Sequence, residues 1–308
     1  MINIVIVNWN SGKQLQSCLE SIQNQATPCL RIETTVVDNA STDGSETIAE
    51  RSPGVTLLRT GENLGFGKAC NLGAQNGNGE YLLFLNPDAA IFPQSLCKAI
   101  NFMQSPANAK VGICGVQLKD ESGHVARSCT RFPSALGLVA HALGFDRVFP
   151  QLGHFMAEWS HDQTREVDHV IGAFFLVRRS LFEELGGFDE RFFVYLEDLD
   201  FSYQAHQAGW KTAYLADAQA FHAGGGTSNQ VKARRLFYSL RSRLLYAFKN
   251  FSFIGAWLVL LSTLLLEPVS RTGYALVRSS WPAVKETWSG YAMLYRWLPQ
   301  WLLQGVTR

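Results

Sequence analysis

Three carboxylates fall within four residues at Glu197-Asp198-Leu199-Asp200. Crowded carboxylates raise one another's proton affinity, which suits one of them to act as a general base. On a helix Glu197 and Asp200 share a face and Asp198 points elsewhere. The competing account is an acidic first turn that faces solvent and complements the helix dipole. Asn86-Pro87-Asp88 directly follows the apolar Leu82-Leu83-Phe84-Leu85. Two polar groups on a rigid turn can hold a hydroxyl with one and a divalent cation with the other, and a departing diphosphate needs such a cation. An ordinary N-P-D turn explains the same residues. Asp38-Asn39-Ala40-Ser41-Thr42-Asp43-Gly44 places a carboxylate where it can accept from a base N–H or a ribose hydroxyl. An Asx turn capping the next helix accounts for Asp43 and leaves Asp38 open between the two. In Asn8-Trp9-Asn10 the indole can stack on a base while the asparagines offer edge hydrogen bonds. Taken alone, this cluster reads better as a buried aromatic with turn-forming asparagines. A lone histidine is usually structural, but His222, followed by Ala223 and the glycines Gly224, Gly225 and Gly226, is better placed to ligate a cation near phosphates.

Such groups act together only if strands present them at one edge. The first 120 residues alternate short apolar strands with helical stretches. Strands are expected at 3–7, 33–37, 55–59 and 81–85, with helices at 13–24 and 68–76. This predicts an open, mostly parallel α/β sheet with ligands at the carboxyl ends of its strands. Residues 101–163 are less regular, with a possible strand at 111–118. Beyond them, 170–177 reads as an apolar strand and 180–185 as a short helix stopped by Gly186-Gly187. A helix at 197–209 and a strand at 211–215 follow.

The 308 residues, 47% hydrophobic and 17% charged, suffice for one large α/β domain plus an appendage. They exclude a disordered chain, a disulfide mini-protein and a collagen-like repeat. The net charge of +1 conceals a division: residues 1–231 hold 16 basic and 24 acidic side chains, and 232–308 hold 11 basic and 2 acidic. A basic tail suits an anionic partner, either nucleic acid or a membrane surface. Its helical run at 232–249 carries Lys232, Arg234, Arg235, Arg241, Arg243 and Lys249. Residues 250–266 then lack charge for seventeen positions, just short of the ~20 apolar residues of a membrane span. Trp281, Trp288, Trp297 and Trp301 follow with Tyr291 and Tyr295. Aromatics mixed with Lys and Arg suit the headgroup zone of a bilayer, and this favours lipid over nucleic acid. The rivals are a helical hairpin packed on the main domain and a tail packed on a partner protein. The expected division is therefore 1–231 and 232–308. The six cysteines, Cys18, Cys29, Cys70, Cys97, Cys114 and Cys129, form no C-x-x-C pair and read as reduced thiols. No basic stretch precedes an apolar core at the N-terminus, so no signal peptide is expected.

Taken in order, Val5-Ile6-Val7-Asn8-Trp9-Asn10, the 38–44 stretch, Asn63-Leu64-Gly65-Phe66-Gly67, Leu85-Asn86-Pro87-Asp88, Gly187-Phe188-Asp189-Glu190, 197–200 and His222 resemble the signature of family 2 inverting glycosyltransferases. These have the GT-A nucleotide-diphospho-sugar transferase fold, and the flavour is that of the bacterial rhamnosyltransferase-like branch. The resemblance implies a nucleotide-diphospho-sugar donor held by Val7, Trp9, Asn10, Asp38 and Asn86. Trp9 and Asp38 would take the base and Asn86 the ribose or sugar. It implies a Mg or Mn ion on Asp88 and His222, Glu197 and Gly172 at the acceptor or sugar, and Asp198 as the catalytic base. The family's metal motif is often D-x-D, whereas here the first position is Asn86, which leaves Asp88 with less carboxylate help. Together with the tail, the resemblance implies an enzyme on the cytoplasmic face of the plasma membrane, peripheral or single-span. It would add a deoxyhexose such as rhamnose, from a dTDP- or UDP-sugar, to a hydroxyl of a lipid-linked polyprenyl-diphosphate saccharide in cell-surface polysaccharide synthesis.

Three alternatives have distinct signatures. A catalytically inactive sugar-nucleotide-binding scaffold would keep the Asp38 region and lose the carboxylate at 198, which is present. A processive polysaccharide synthase would add several spans and a Q-x-x-R-W motif, but Arg296-Trp297 is preceded by Met293. A dinucleotide-binding dehydrogenase would place G-x-G-x-x-G after the first strand, and residues 8–12 lack it.

Overall fold

The computed structural model describes every residue except 26–29, 146–148, 150, 152, 225–230 and 308. Cys29 and the glycines Gly225 and Gly226 lie outside the described residues. The chain forms two compact units. A sheet unit comprises Met1–Arg131, Trp159–Glu190 and Glu197–Thr227, and a helical unit comprises Phe132–Glu158, Arg191–Leu196 and Ser228–Arg308. The helical unit thus draws in two earlier segments beside the basic tail.

In the sheet unit the chain runs β1 (Ile2–Asn8), α1 (Gln14–Gln23), β2 (Ile32–Asp38), α2 (Glu46–Arg51), β3 (Val55–Arg59), α3 (Phe66–Ala74), β4 (Tyr81–Leu85), β5 (Ala89–Ile91), α4 (Ser95–Gln104), β6 (Val111–Lys119) and β7 (Cys129–Thr130). After α5 (Ala135–Leu143) of the helical unit it continues with β8 (Arg165–Val167), β9 (His169–Val170), β10 (Phe174–Arg178), α6 (Arg179–Glu184), α7 (Glu197–Gln207) and β11 (Lys211–His222). The main sheet has the order β3-β2-β1-β4-β10-β6-β11-β5, with β8 on β11, and β7 and β9 form a separate ribbon. β1 to β4 pair in parallel, β10 is inserted antiparallel between β4 and β6, and β11 is parallel to β6. The fold is therefore the mixed α/β architecture expected, with a mostly parallel sheet.

β1 is buried along its whole length because helices cover both faces. Ile2, Ile4 and Ile6 meet one core with Leu15, Leu19 and Ile22 of α1 and Leu96, Ile100 and Met103 of α4. Val5 faces the other side, where Gly73 of α3 lies so close to Val5 and Val37 that a side chain there would collide with both. Beside it Phe84, Phe175, Phe182, Phe188 and Phe201 form one aromatic cluster, with Phe84 and Phe188 4.8 Å apart and Phe188 and Phe201 5.3 Å apart. Phe201 anchors α7 to the sheet through this cluster.

Two strands depart from the sequence reading by more than one residue at an end. The apolar run 170–177 is not one strand. The chain leaves β9 at Val170 and joins β10 at Phe174. Between them Gly172 and Ala173 turn their backbone groups to side partners described below. β11 runs on to His222 instead of stopping at 215, because its register on β6 shifts between Leu215 and Gln219. Such an irregularity breaks the apolar alternation without ending the pairing.

The helical unit packs α8 (Lys232–Asn250), α9 (Phe253–Leu261), a π-helical stretch (Ser262–Leu266), α10 (Glu267–Val277) and α11 (Trp281–Gln304) with α5. Phe253–Val277 is one helical run of 25 residues, long and apolar enough to cross a membrane, and 44% of its most apolar window is buried within the protein. It continues past the charged Glu267 because that charge is neutralised inside the unit. Arg243 of α8 and Arg271 both reach the Glu267 carboxylate, the latter at 2.7 Å. Burial opposes ionisation there, but the guanidiniums of Arg243 and Arg271 outweigh it and hold the carboxyl at about 2. A carboxyl depressed below its ordinary value of 4.5 stabilises the fold above that pH, and the stabilisation is lost as pH falls through the folded value. Acidification from pH 5 to pH 2 is expected to remove about 3 kcal/mol. Tryptophan fluorescence of thermal unfolding, with five of the eight tryptophans beyond residue 250, reads this directly. A midpoint that does not fall contradicts the pairing.

Candidate active site

The sequence clusters fall in the sheet unit at the carboxyl edge of its parallel strands. Asn8 ends β1 opposite Asp38, which ends β2. The Asn8 amide donates to Asp38 Oδ1 at 2.9 Å, to Ser41 Oγ at 3.1 Å and to Ser45 Oγ at 2.9 Å. Asp38 Oδ2 accepts from Ser41 N at 3.3 Å, and the Asx-turn contact is at Asp43, whose Oδ1 accepts from Ser45 N at 3.0 Å. Asn10, with φ of 53°, accepts from Thr42 N at 2.7 Å. Its own amide donates to Ser41 Oγ at 3.0 Å. The loops after β1 and β2 are therefore stitched into one surface, on which Trp9 is half-buried. Asn39 extends it by accepting from Leu64 N at 2.8 Å and donating to Asn63 Oδ1 at 2.9 Å. Val7 stands apart, with its side chain in the core of β1.

On the neighbouring strand, β4 delivers Asn86-Pro87-Asp88. The backbone N of Asn86 donates to Ala173 O at 3.1 Å, and Ala223 N donates to Asp88 O at 3.2 Å. These bonds bring the end of β11 over the turn, with His222 Nε2 3.3 Å from Asp88 Oδ1 and 3.5 Å from Asn86 Nδ2. A carboxylate oxygen and a ring nitrogen thus converge, both largely but not wholly covered. Among the described residues no three His, Cys, Asp or Glu side chains gather as a metal cluster. Two protein donors suit a Mg or Mn ion that takes its remaining ligands from phosphate oxygens and water. Cys18 lies beneath the turn, its Sγ 3.6 Å from Asn86 O. Burial, with the Asp88 charge adding to it, raises its thiol far above the ordinary value and keeps it neutral.

Asp198 sits in the first turn of α7, where the helix dipole favours a carboxylate. The chain reaches it through Tyr195 and Leu196, both left-handed with φ of 71° and 67°. Oδ2 accepts from Gly172 N at 2.7 Å and Oδ1 from Leu199 N at 2.8 Å. The carboxylate is held by two amides while its side chain stays 19% exposed. Gly172 precedes Ala173, whose carbonyl holds Asn86, so one short backbone break links Asp198 to the turn bearing Asp88. A Cβ on Gly172 would lie 2.8 Å from Asp198 Oδ2. Gly172→Ala is therefore expected to lower turnover at least about 10-fold. Steady-state kinetics beside nucleotide titrations check this, and unchanged turnover would show that the contact is dispensable.

Glu197 and Asp200 share the buried face of α7, so the solvent-facing account of this turn holds for neither. Glu197 packs its Cβ beside Gly67 of α3, and its Oε2 has no hydrogen-bond partner among the described residues. Burial first, and the Asp198 charge second, push its carboxyl well above the usual range. Sequence reasoning missed His169. It is buried on β9, with Nε2 3.6 Å from Asp198 Oδ2 and Nδ1 2.9 Å from Ser202 Oγ. Nothing local marks it, because it stands beside Asp168 at the edge of an apolar run and its partner lies on a later helix.

The sequence pattern of glycosyl transferase family 2 matches residues 3–186. Over 294 residues the chain is 31% identical to an N-acetylglucosaminyl-diphospho-decaprenol L-rhamnosyltransferase of Mycobacterium tuberculosis, covering 91% of this chain and 94% of that protein. It is 25% identical over 254 residues to rhamnosyltransferase WbbL of Escherichia coli K12, covering 80% of this chain and 92% of the relative. Among solved structures it resembles the mannosyltransferase PcManGT from Pyrobaculum calidifontis in complex with GDP-Man and Mn2+. That match has a TM-score of 0.57 at 19% identity and covers 98% of this chain and 87% of the other.

Proposed function

Because the chain belongs to glycosyl transferase family 2, we propose that this glycosyltransferase moves a deoxyhexose such as rhamnose from a nucleotide diphosphate to a hydroxyl of a polyprenyl-diphosphate saccharide. The observation that carries the reading is the unbroken set of contacts from Asp198 through Gly172 and Ala173 to Asn86, His222 and Asp88. It joins a proton acceptor to a cation-competent pair along one sheet edge.

Asp198 takes the proton of the acceptor hydroxyl. The acceptor oxygen forms its bond to the anomeric carbon from the face opposite the diphosphate. The bond from that carbon to the diphosphate oxygen breaks, and configuration inverts. A single displacement of this kind needs one base and one stabilised leaving group, and no covalent nucleophile. Asp88 and His222 would hold a divalent cation, which would supply charge neutralisation for the leaving diphosphate. Asn86 offers its side-chain amide beside that pair, and the stitched surface of Trp9 and Asp38 receives the nucleoside. Burial and the neighbouring Asp198 disfavour a second negative charge on Glu197. The names of the relatives support a lipid-linked acceptor and a rhamnose donor.

The helical unit supports a seat on an anionic membrane at its cytoplasmic face. Phe253, Ile254, Leu265, Val269 and Val277 are exposed along one helical run, and Trp281 and Leu303 on α11. The residues from 232 onward are strongly basic. With Glu267 paired internally and nearly half of the apolar window buried, this run suits lying in the interface with one face in lipid. A panel of nucleotide-sugars, read by thermal stabilisation with and without Mg2+ or Mn2+, tests the donor side. A deoxyhexose nucleotide is expected to stabilise most, and only with cation. A panel without any cation-dependent stabilisation overturns the reading.

A further inference from the structure

We propose that His169 is the proton-sharing partner of Asp198, so that the base of this enzyme is an Asp198–His169 pair with the tautomer of the imidazole set by Ser202. The inference rests on Asp198 being the base. The Ser202 hydroxyl carries a single hydrogen, and it donates to the backbone oxygen of Asp198 at 3.0 Å. A carbonyl only accepts, so the hydroxyl oxygen is left to accept from His169 Nδ1–H at 2.9 Å. His169 Nε2 then faces Asp198 Oδ2 at 3.6 Å with a lone pair. Two acceptors confront each other in a buried site until one proton enters between them.

That proton is the one taken from the acceptor hydroxyl. As the acceptor oxygen bonds to the anomeric carbon, its hydrogen passes to Asp198 Oδ2. It settles between Oδ2 and Nε2 while the diphosphate leaves with the electron pair of the broken bond. Release of product and return of the proton to solvent restore the pair. His169 does not touch the acceptor; it is a positioning residue that shares the proton with Asp198 Oδ2 and receives part of the charge. Of the elements packed around it, α7 contributes Asp198, and Asp168 flanks it in the chain. Both charges favour imidazolium, against burial, which is the larger effect and lowers its proton affinity. Thr130 of β7 and Phe175 of β10 do not titrate there, and burial keeps Tyr214 of β11 neutral. Glu197, whose carboxyl is pushed well above the usual range by burial, and the buried Asp200 are the other acids of that turn.

The test is His169→Gln, assayed across pH with donor affinity measured in parallel. Turnover is expected to fall at least about 10-fold. The acid limb of kcat/KM is expected to move at least one pH unit lower, with donor affinity unchanged. A limb that stays in place, whether or not turnover falls, means His169 is merely structural and overturns the proposal. Nitrogen NMR of histidine-labelled wild-type protein decides the case without activity. The Nδ1–H tautomer is expected for His169 above the limb, and an Nε2–H tautomer overturns the proposal. If Asp198→Asn keeps its turnover, the catalytic reading itself fails. If Asp198→Asn is inactive and His169→Gln keeps the wild-type limb, only the pair fails.

Discussion

Asp198→Asn is expected to lower turnover by about 10³-fold or more while nucleotide-sugar binding persists. The substitution keeps size and shape. Its side-chain oxygen still accepts from Gly172 N, so the first turn of α7 and the break before β10 remain held. Its amide nitrogen takes the place of Oδ1 and gives up only the bond from Leu199 N. What disappears is the one group there that is both partly exposed and able to take a proton. The cation pair and the stitched nucleotide surface are untouched. Product formation in single-turnover assays should therefore vanish, with the donor-induced thermal shift intact. Near-normal turnover would remove Asp198 from its role.

Asp88→Ala is expected to produce the second large loss, of a different kind. Asp88 is the only carboxylate of the pair with His222, and its neighbour Asn86 adds no charge. Cation affinity rises with the number of charged ligands, so removing the single carboxylate leaves one imidazole nitrogen. Expected results are a fall in kcat/KM of at least about 100-fold, ~2.7 kcal/mol of lost transition-state stabilisation, and donor binding that no longer responds to Mg2+ or Mn2+. In the wild type, EDTA is expected to abolish transfer and excess Mn2+ to restore it. Turnover that survives both treatments would show that the departing diphosphate needs no cation here.

Strands β3 and β4 were legible to the residue, because apolar runs bounded by Gly, Asn and Pro leave little choice of register. The clusters at 8–10, 38–44 and 86–88 were legible as strand-end loops for the same reason. What could not be read is set by partners distant in sequence. His169 meets Asp198 and Ser202 on α7, and no pattern around it announces that contact. The break at 171–173 looks like continuous apolar strand until Asp198 and Asn86 claim its backbone groups. α5 is apolar on most sides and belongs to the helical unit, which left the middle of the chain without an assignable pattern. Glu267 looks like the end of an apolar helix only while Arg243, on another helix, is out of view.

Gly172 and Ala173 give adjacent backbone groups to opposite tasks: the amide of one steadies the proton acceptor, and the carbonyl of the other steadies the turn that grips the donor. The two halves of the reaction therefore have a common pivot and cannot drift independently. Substitutions made on either side should prove non-additive when combined. A lineage adopting a new acceptor would have to retune its donor grip in step.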